Sequence, residues 1–444
     1  MNSTEELPKK DLKRILKNVA WLVYNNVFNL LLSLFVTVKV ANHYGSLGYG
    51  TYQYVISLVA ILEVLAYFTD GRVVKKEYDI YDPAKVVLTA TFSRLFLSAV
   101  SAAAGIIFAL FYSGGREFNL ILAVLLLNSI VGSTFFGASN RFEYLLISKR
   151  NVIAGNIAAI TGALLQLLAV ELQLPIIVLP VISLLTTAIT ALVIILQYKK
   201  EFGLSFGTEL IDRDLLKALY KESAPLAIAS ACAIIYTRCD SLMVGNMLSL
   251  AEVGVYAIAI KLINIVNMPL GPIRESFYPK LIQIYRTDRD RYARMYIRLS
   301  SFLTWFCVIG VLFSFLVLPY FFKWLNKEYY EALGVYRVYV IYSVISYNAG
   351  LRAGHLTLIN RGTILAYAQA ASVVINIILN IVLIKNYGIY GAAAATSITQ
   401  FLSLTVSNLF FKKDGREVFK WQIMALNPLE MLPNYRKSTT DVQV

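Results

Sequence analysis

Long apolar stretches separated by short polar connections repeat along almost the whole chain. Asn119 to Asn140, Leu174 to Gln197 and Phe302 to Phe322 each reach the roughly 18 apolar residues that carry a helix across a bilayer. Extended to the rest, this pattern predicts twelve spans, over 18–41, 49–69, 87–112, 119–140, 151–170, 174–198, 224–247, 253–272, 299–322, 334–358, 364–384 and 389–411. Twelve spans of about 22 residues leave little chain for a folded domain outside the membrane. An all-α integral membrane protein is predicted. Two connections are longer than turns. Leu210, Ile211, Leu215, Leu216 and Leu219 recur at helical spacing among Asp212, Arg213, Lys217 and Lys221, which predicts a separate amphipathic helix at the membrane surface. Residues Arg274 to Arg298 carry seven basic side chains and read as a solvated loop against anionic lipid.

An internal repeat at an offset of 204 pairs Asn42, Gly50, Tyr52, Ile56, Leu58 and Ile61 with Asn246, Gly254, Tyr256, Ile260, Leu262 and Ile265. The matches fall where spans 1 and 2 join and where spans 7 and 8 join. A six-plus-six duplication follows, with pseudo-symmetric lobes at 18–198 and 224–411 around a central cavity. A linker occupies 199–223, and the ends are an N-terminus at 1–17 and a tail at 412–444. Because each half holds an even number of spans, the halves share one topology, a parallel repeat of the kind found in transporters.

Composition agrees with the pattern. Of 444 residues, 58% are apolar and 15% charged, against about 45–50% and about 25% in soluble domains. The net charge of +14 suggests nucleic acid until it is mapped onto the spans. The two ends and the even-numbered connections hold 31 of the 41 Lys and Arg, whereas the odd-numbered connections hold four. That asymmetry is the positive-inside signal; it places both termini in the cytoplasm of a multi-pass cell-membrane protein and removes the case for nucleic acid. The spans themselves carry six bases against two acids, an interior that attracts an anion and repels an organic cation.

Enzyme motifs are absent: there is no Walker A sequence, no His-Glu-x-x-His and no Cys-x-x-Cys. Cys232, Cys239 and Cys307 sit in apolar segments without metal-ligand spacing. No catalytic residue, metal or cofactor is predicted. The informative residues are ionisable groups within spans, where a central charge costs at least about 2.5–3.5 kcal/mol and tends to face a bundle interior or a wet cavity. Arg94, Arg238, Lys261 and Arg352 are the deep bases, and they are predicted to bind an anionic headgroup. Polar residues at helical spacing predict the rest of the lining: Asn25, Asn29 and Ser33 with Thr37 in span 1, Asn264 beside Lys261, and Asn348 with Arg352 and His355. Helix–helix hydrogen bonding is the alternative use of such stripes. Glu63 and Asp240 are the buried acids, candidates for coupling to H+ or Na+, or else for a salt bridge. Two residues on a helix turn through about 200°, so Arg238 is assigned to the cavity and Asp240 to a neighbouring helix.

The Gly50-Thr51-Tyr52 and Gly254-Val255-Tyr256 junctions, Arg238-Cys239-Asp240-Ser241-Leu242 in span 7 and the run Asn386-Tyr387-Gly388-Ile389-Tyr390-Gly391-Ala392-Ala393 resemble the Wzx-type polysaccharide flippases. Those proteins belong to the multidrug/oligosaccharidyl-lipid/polysaccharide exporter superfamily, and the resemblance runs from about Leu12 to Lys413. It implies a V-shaped, two-lobed transporter that moves polyprenyl-(pyro)phosphate-linked oligosaccharides to the outer leaflet by alternating access, driven by a proton or sodium gradient. Membrane lipids and the glycan polymerase or glycosyltransferases of the same pathway are the implied partners. Members do not share one set of cavity charges, so the four bases rest on the residues alone. Two rivals make different demands. A multidrug or organic-cation antiporter requires buried acids, of which there are two. A membrane glycan polymerase or glycosyltransferase requires a sizeable external loop, and the odd-numbered connections are short.

Overall fold

The computed structural model describes residues 9–112, 114–203 and 211–432, without the side chains of residues 9–28 and of Lys412. α1 (Lys9–Leu62) is two helices meeting at Gly45, whose φ of 68° lies in the region that glycine enters freely. The chain doubles back there. Asn29 and Ile56 line one cavity, whereas a straight helix would hold them about 40 Å apart. The second limb ends in a 3-10 turn, Glu63–Phe68. α2 (Gly71–Glu77), α3 (Pro83–Phe111), α4 (Gly115–Ser133), α5 (Phe136–Tyr144), α6 (Lys149–Glu171) and α7 (Val178–Phe202) complete the first lobe.

The second lobe comprises α8 (Arg213–Met247), α9 (Leu250–Asn267), α10 (Leu270–Thr287), α11 (Arg289–Phe321), α12 (Glu331–Asn348), α13 (Arg352–Leu358) and α14 (Gly362–Leu404). α14 also reverses at a glycine, Gly388 with φ 57°. On its two limbs, Asn380 and Thr396 both bond to Asp240. α15 (Lys412–Met424) closes the described chain together with a 3-10 turn at Pro428–Met431. Among the described residues there is no strand, and nine helices are long and apolar enough to cross a membrane. Two of the nine are the doubled α1 and α14, so with α12 all twelve predicted spans are accommodated.

Several polar stretches are more ordered than the sequence suggested. The predicted loop at 274–298 is the end of α10 and the start of α11, held together by Arg289 lying 3.4 Å over the Tyr285 ring. The predicted tail includes α15, whose Trp421 packs against Tyr296 and His355 at ring distances of 4.8 and 4.9 Å. Span 10 is broken after Asn348 and resumes at Arg352.

The predicted surface helix, whose Leu210 lies outside the described residues, is not separate; it is the first third of α8. There Leu215 and Leu219 are fully buried among Val73, Val86, Phe142 and Tyr198 of the first lobe. Ser223 Oγ accepts the Asp70 N–H at 3.1 Å, and Lys76 pairs with Glu222 at 2.7 Å. Beyond Pro225, which has no N–H to continue the helical ladder, α8 joins the second lobe through Tyr236 and Asp240. Its N-cap is Asp212, which accepts the N–H groups of Leu215 at 3.0 Å and Asp214 at 2.9 Å. These bonds, Leu215's foremost, hold the Asp212 carboxyl below its ordinary range. A depressed pKa means that the cap stabilises above the unfolded aspartate value of about 4 and fades as pH falls through the folded one. Asp212→Ala is therefore expected to cost about 1 kcal/mol at neutral pH. Thermal unfolding of the two proteins should differ at pH 7 and converge in acid.

At one end of the molecule the lobes are locked together. Asn42 donates to Trp324 O at 2.6 Å and accepts the Asn326 N–H at 2.8 Å. Ser46 Oγ donates to Glu328 Oε2 at 2.7 Å, and Tyr329 OH donates to Ala41 O at 3.1 Å. Tyr54 OH donates to Asn246 at 3.1 Å. Between these contacts the backbones of Gly50 and Gly254 meet. A Cβ on Gly50 would lie 1.8 Å from Leu250 O, and one on Gly254 would lie 2.3 Å from Ser46 O. The repeat-related glycines thus face each other across the lobe boundary. At the opposite, basic end, the extensive contact between lobes runs through α8.

Candidate functional site

A cavity of about 610 Å³ lies against the first lobe, bounded by both limbs of α1 and by α6 and α7, with Lys261 entering from α9. The span 1 stripe explains one wall: Asn29, Ser33 and Thr37, four residues apart, project from one face. Asn25 extends the stripe, but its side chain lies outside the described residues. Opposite stand Tyr49, Tyr52 and Gln53 from the second limb of α1. Gln166 of α6 and Thr186, Thr187 and Thr190 of α7 complete the polar surface. Lys261 donates to Thr37, so a cation of the second lobe is bonded to a hydroxyl of the first. Among the described residues it is the one charged group in the lining.

The other predicted bases occupy different settings. Arg238 is half-buried on α8 and has no hydrogen-bond or ion-pair partner among the described residues. It lies within electrostatic reach of Tyr67 in the first lobe. Arg94 reaches Tyr67 as well, its guanidinium 4.9 Å from both the Tyr67 and Phe136 rings. Two of its bonds go to backbone carbonyls of the 3-10 turn, Ala66 O and Thr69 O at 3.3 Å. Arg94 thus closes a helix end at the step that carries Tyr67. Tyr67 is eleven residues beyond Ile56, placing this step roughly 15–20 Å from the cavity toward the basic end.

Arg352 does not line the cavity. It is 3% exposed and donates to Asn408 Oδ1 at 2.7 Å and Ser407 Oγ at 3.1 Å inside the second lobe. Asn348 donates to Gln422 O at 3.1 Å, and His355 meets Trp421 edge-on at 4.9 Å. The three predicted to share a face all point to α15 and the turn before it, because that segment packs where a cavity was expected. Asn264 is exposed and outside the lining. Glu63, at the start of the 3-10 turn, contacts Ser129 and feels the charge of Arg94; it also lies outside the lining.

Asp240 turns away from Arg238 into a second polar centre. It is 3% exposed. Tyr256 OH donates to Oδ2 at 3.0 Å, Asn380 Nδ2 to Oδ1 at 2.7 Å, and Thr396 Oγ1 also donates to Oδ2. Asn376 lies one turn before Asn380 and accepts from it at 3.1 Å. Among the described residues, Asn380 Oδ1 is buried without a partner. A carboxylate with amide and hydroxyl oxygens gathered about it is the donor set of a hard cation, and a carboxylate alone suits a proton. Asn376, Asn380 and Thr396 were not singled out from the sequence. Two asparagines four apart in an otherwise apolar helix were the available signal.

The family model for polysaccharide biosynthesis proteins matches residues 15–285. The chain belongs to that family. No curated protein matches its sequence. Among solved structures, this chain is similar to the lipid II flippase MurJ in an inward closed conformation, with 17% identity and a TM-score of 0.68 over 96% of each chain. It is equally similar, with a TM-score of 0.68 at 12% identity over 93% of this chain and 96% of the other, to an inward-facing multidrug resistance MATE family transporter of the MOP superfamily. An outward-facing MATE transporter of that superfamily gives 0.54 at 13% identity over 91% and 94%. These likenesses establish the fold alone: this chain has the two-lobed helical architecture of those structures.

Proposed function

We propose that the protein is a flippase that carries polyprenyl-(pyro)phosphate-linked oligosaccharide across the cytoplasmic membrane for cell-surface glycan synthesis. The basic end, with both termini, faces the cytoplasm in this reading, so the locked end faces outward. The observation that carries the proposal is the presentation of two second-lobe cations, Lys261 and Arg238, to the first lobe without any carboxylate partner among the described residues. A buried cation without a counter-ion is costly, and an anionic headgroup would supply one. Charge at the lobe boundary also gives the ligand different contacts in the two states of a rocking transporter, the requirement for it to shift their balance.

No nucleotide-binding sequence is present, so the driving force in this reading is a cation gradient acting through Asp240 and its amide and hydroxyl neighbours. An organic-cation antiporter would place its acids in the cavity; Asp240 and Glu63 lie outside the lining. Translocation of a polyprenyl-diphosphate oligosaccharide in proteoliposomes tests the assignment. Arg238→Gln with Lys261→Gln is expected to slow it at least tenfold, about the loss of one charged hydrogen bond. Full transport by the double variant would reject the charged passage, and export of a cationic dye instead would favour the antiporter.

A further inference from the structure

We propose that the first-lobe cavity receives the sugars of the cargo, and that it accepts uncharged, hydroxyl-rich sugars while rejecting acidic ones. This rests on the flippase reading and adds to it the chemical class of the glycan. Among the described residues the lining carries no carboxylate and one cation, Lys261, bonded to Thr37 at the lobe boundary. Everything else polar in it is neutral and two-sided. Asn29, Gln53 and Gln166 offer a donor and an acceptor on one planar amide, and the hydroxyls of Ser33 and Thr187 do both in turn. A sugar presents the same two-sided groups around its ring.

Three of these side chains are already available. Gln166, Ser33 and Thr187 have no hydrogen-bond partner among the described residues. By contrast, Asn29 is bonded to Asn156 at 3.3 Å. The α6 wall between them is made of Gly155, Ala158, Ala159 and Gly162, which leaves a smooth surface for the apolar face of a ring. The volume of about 610 Å³ lies within the range of roughly 300–1,000 Å³ that encloses small ligands.

Charge sets the selectivity. Lys261 can neutralise one anion, and in a lipid-linked sugar that anion is the phosphate. A sugar carboxylate deeper in the cavity would find only neutral groups, and an unpaired buried charge is disfavoured. A second base in the lining would reverse this.

The test uses the full-length protein in lipid nanodiscs and three probes: bare polyprenyl diphosphate, the same lipid bearing a neutral hexose trisaccharide, and that lipid with a hexuronic acid as its terminal sugar. Wild type is expected to bind the neutral glycolipid about tenfold tighter than the bare lipid, and the acidic one no tighter than the bare lipid. Gln166→Leu should lose most of the gain for the neutral glycan while binding the bare lipid normally. Gln166→Lys should instead gain affinity for the acidic glycan, an outcome that loss of packing cannot produce. Thr187→Arg on the facing helix offers the same gain if Gln166→Lys does not fold. Equal affinity for all three probes, or equal affinity for the two glycans, overturns the inference and leaves the flippase reading intact. Failure of bare polyprenyl diphosphate to bind, or binding indifferent to Lys261→Gln, overturns both.

Discussion

Asp240→Asn is expected to leave a folded protein whose translocation no longer responds to a sodium or proton gradient, with a rate about a hundredfold lower, or roughly 2.7 kcal/mol of barrier. The substitution keeps the shape of the side chain and removes its charge. Three donors converge on this carboxylate, from Tyr256, Asn380 and Thr396, and hydrogen bonds to a charged acceptor contribute about 1.5–3 kcal/mol each. An amide in its place can accept through one oxygen and turns its own donors toward donors. Some stability is therefore lost, and thermal unfolding should register it. The sharper effect is functional. Without the carboxylate, the remaining amide and hydroxyl oxygens around Asn376, Asn380 and Thr396 carry no charge with which to hold a cation or a proton. Measuring uptake into proteoliposomes with an imposed sodium gradient, and separately with a pH gradient, distinguishes the two couplings. If the variant keeps its response to both, the coupling site lies elsewhere, and Glu63 becomes the residue to examine.

Gly50→Val is expected to shift the population toward the state in which the locked end is open. A Cβ at Gly50 would sit 1.8 Å from Leu250 O and 2.7 Å from Gly254 N. Both are backbone atoms at the start of α9, so no rotamer change relieves the overlap. Either the two lobes separate here or α9 itself deforms. Overpacking in well-packed interiors typically costs about 1–3 kcal/mol, enough to move an equilibrium between closed and open states by about tenfold or more. The hydrogen bonds at Asn42, Ser46 and Tyr329 cross the same boundary and would be lost with it. Spin labels at His43 and Lys327, on the two sides of that boundary, should report a distance longer by several ångströms in the variant. An unchanged distance would mean that α9 has yielded instead, and the lock would then not depend on this crossing.

Much of the fold was legible because a membrane span announces itself by length. Spans 3, 5 and 6 coincide closely with α3, α6 and α7. The junction repeat identified the residues at which the lobes touch, since Gly50 and Gly254 are close to each other for the same reason that they recur. Stretches without an apolar run were harder to read. Arg274 to Arg298 looks like a loop because its buried positions, such as Leu281, Ile284, Tyr292 and Tyr296, are sparse among charges. The helical order there comes from packing between α10 and α11.

The site was legible in the same uneven way. Lys261 and the Asn29, Ser33 and Thr37 stripe could be read from helical spacing, and so could the opposite facing of Arg238 and Asp240. Arg352 was misplaced for a definite reason. Its helical face was identified, with Asn348 and His355 alongside, but what that face meets depends on α15, sixty residues later in the chain. Gln53, Gln166 and Thr187 carry no charge and stand among small and apolar neighbours, so nothing in the sequence distinguishes them from residues that hydrogen-bond along a helix.

The arrangement of α8 constrains how the two halves of this chain came to depend on each other. Leu215 and Leu219 belong by sequence to the second repeat and by packing to the interior of the first. A chain divided between residues 203 and 211 would leave the first half with Val73, Val86 and Phe142 uncovered, while the second half carried the helix that covers them. Each half is thus built as the missing part of the other. One helix, α8, thereby couples the interior of the first lobe to the polar centre at Asp240 in the second.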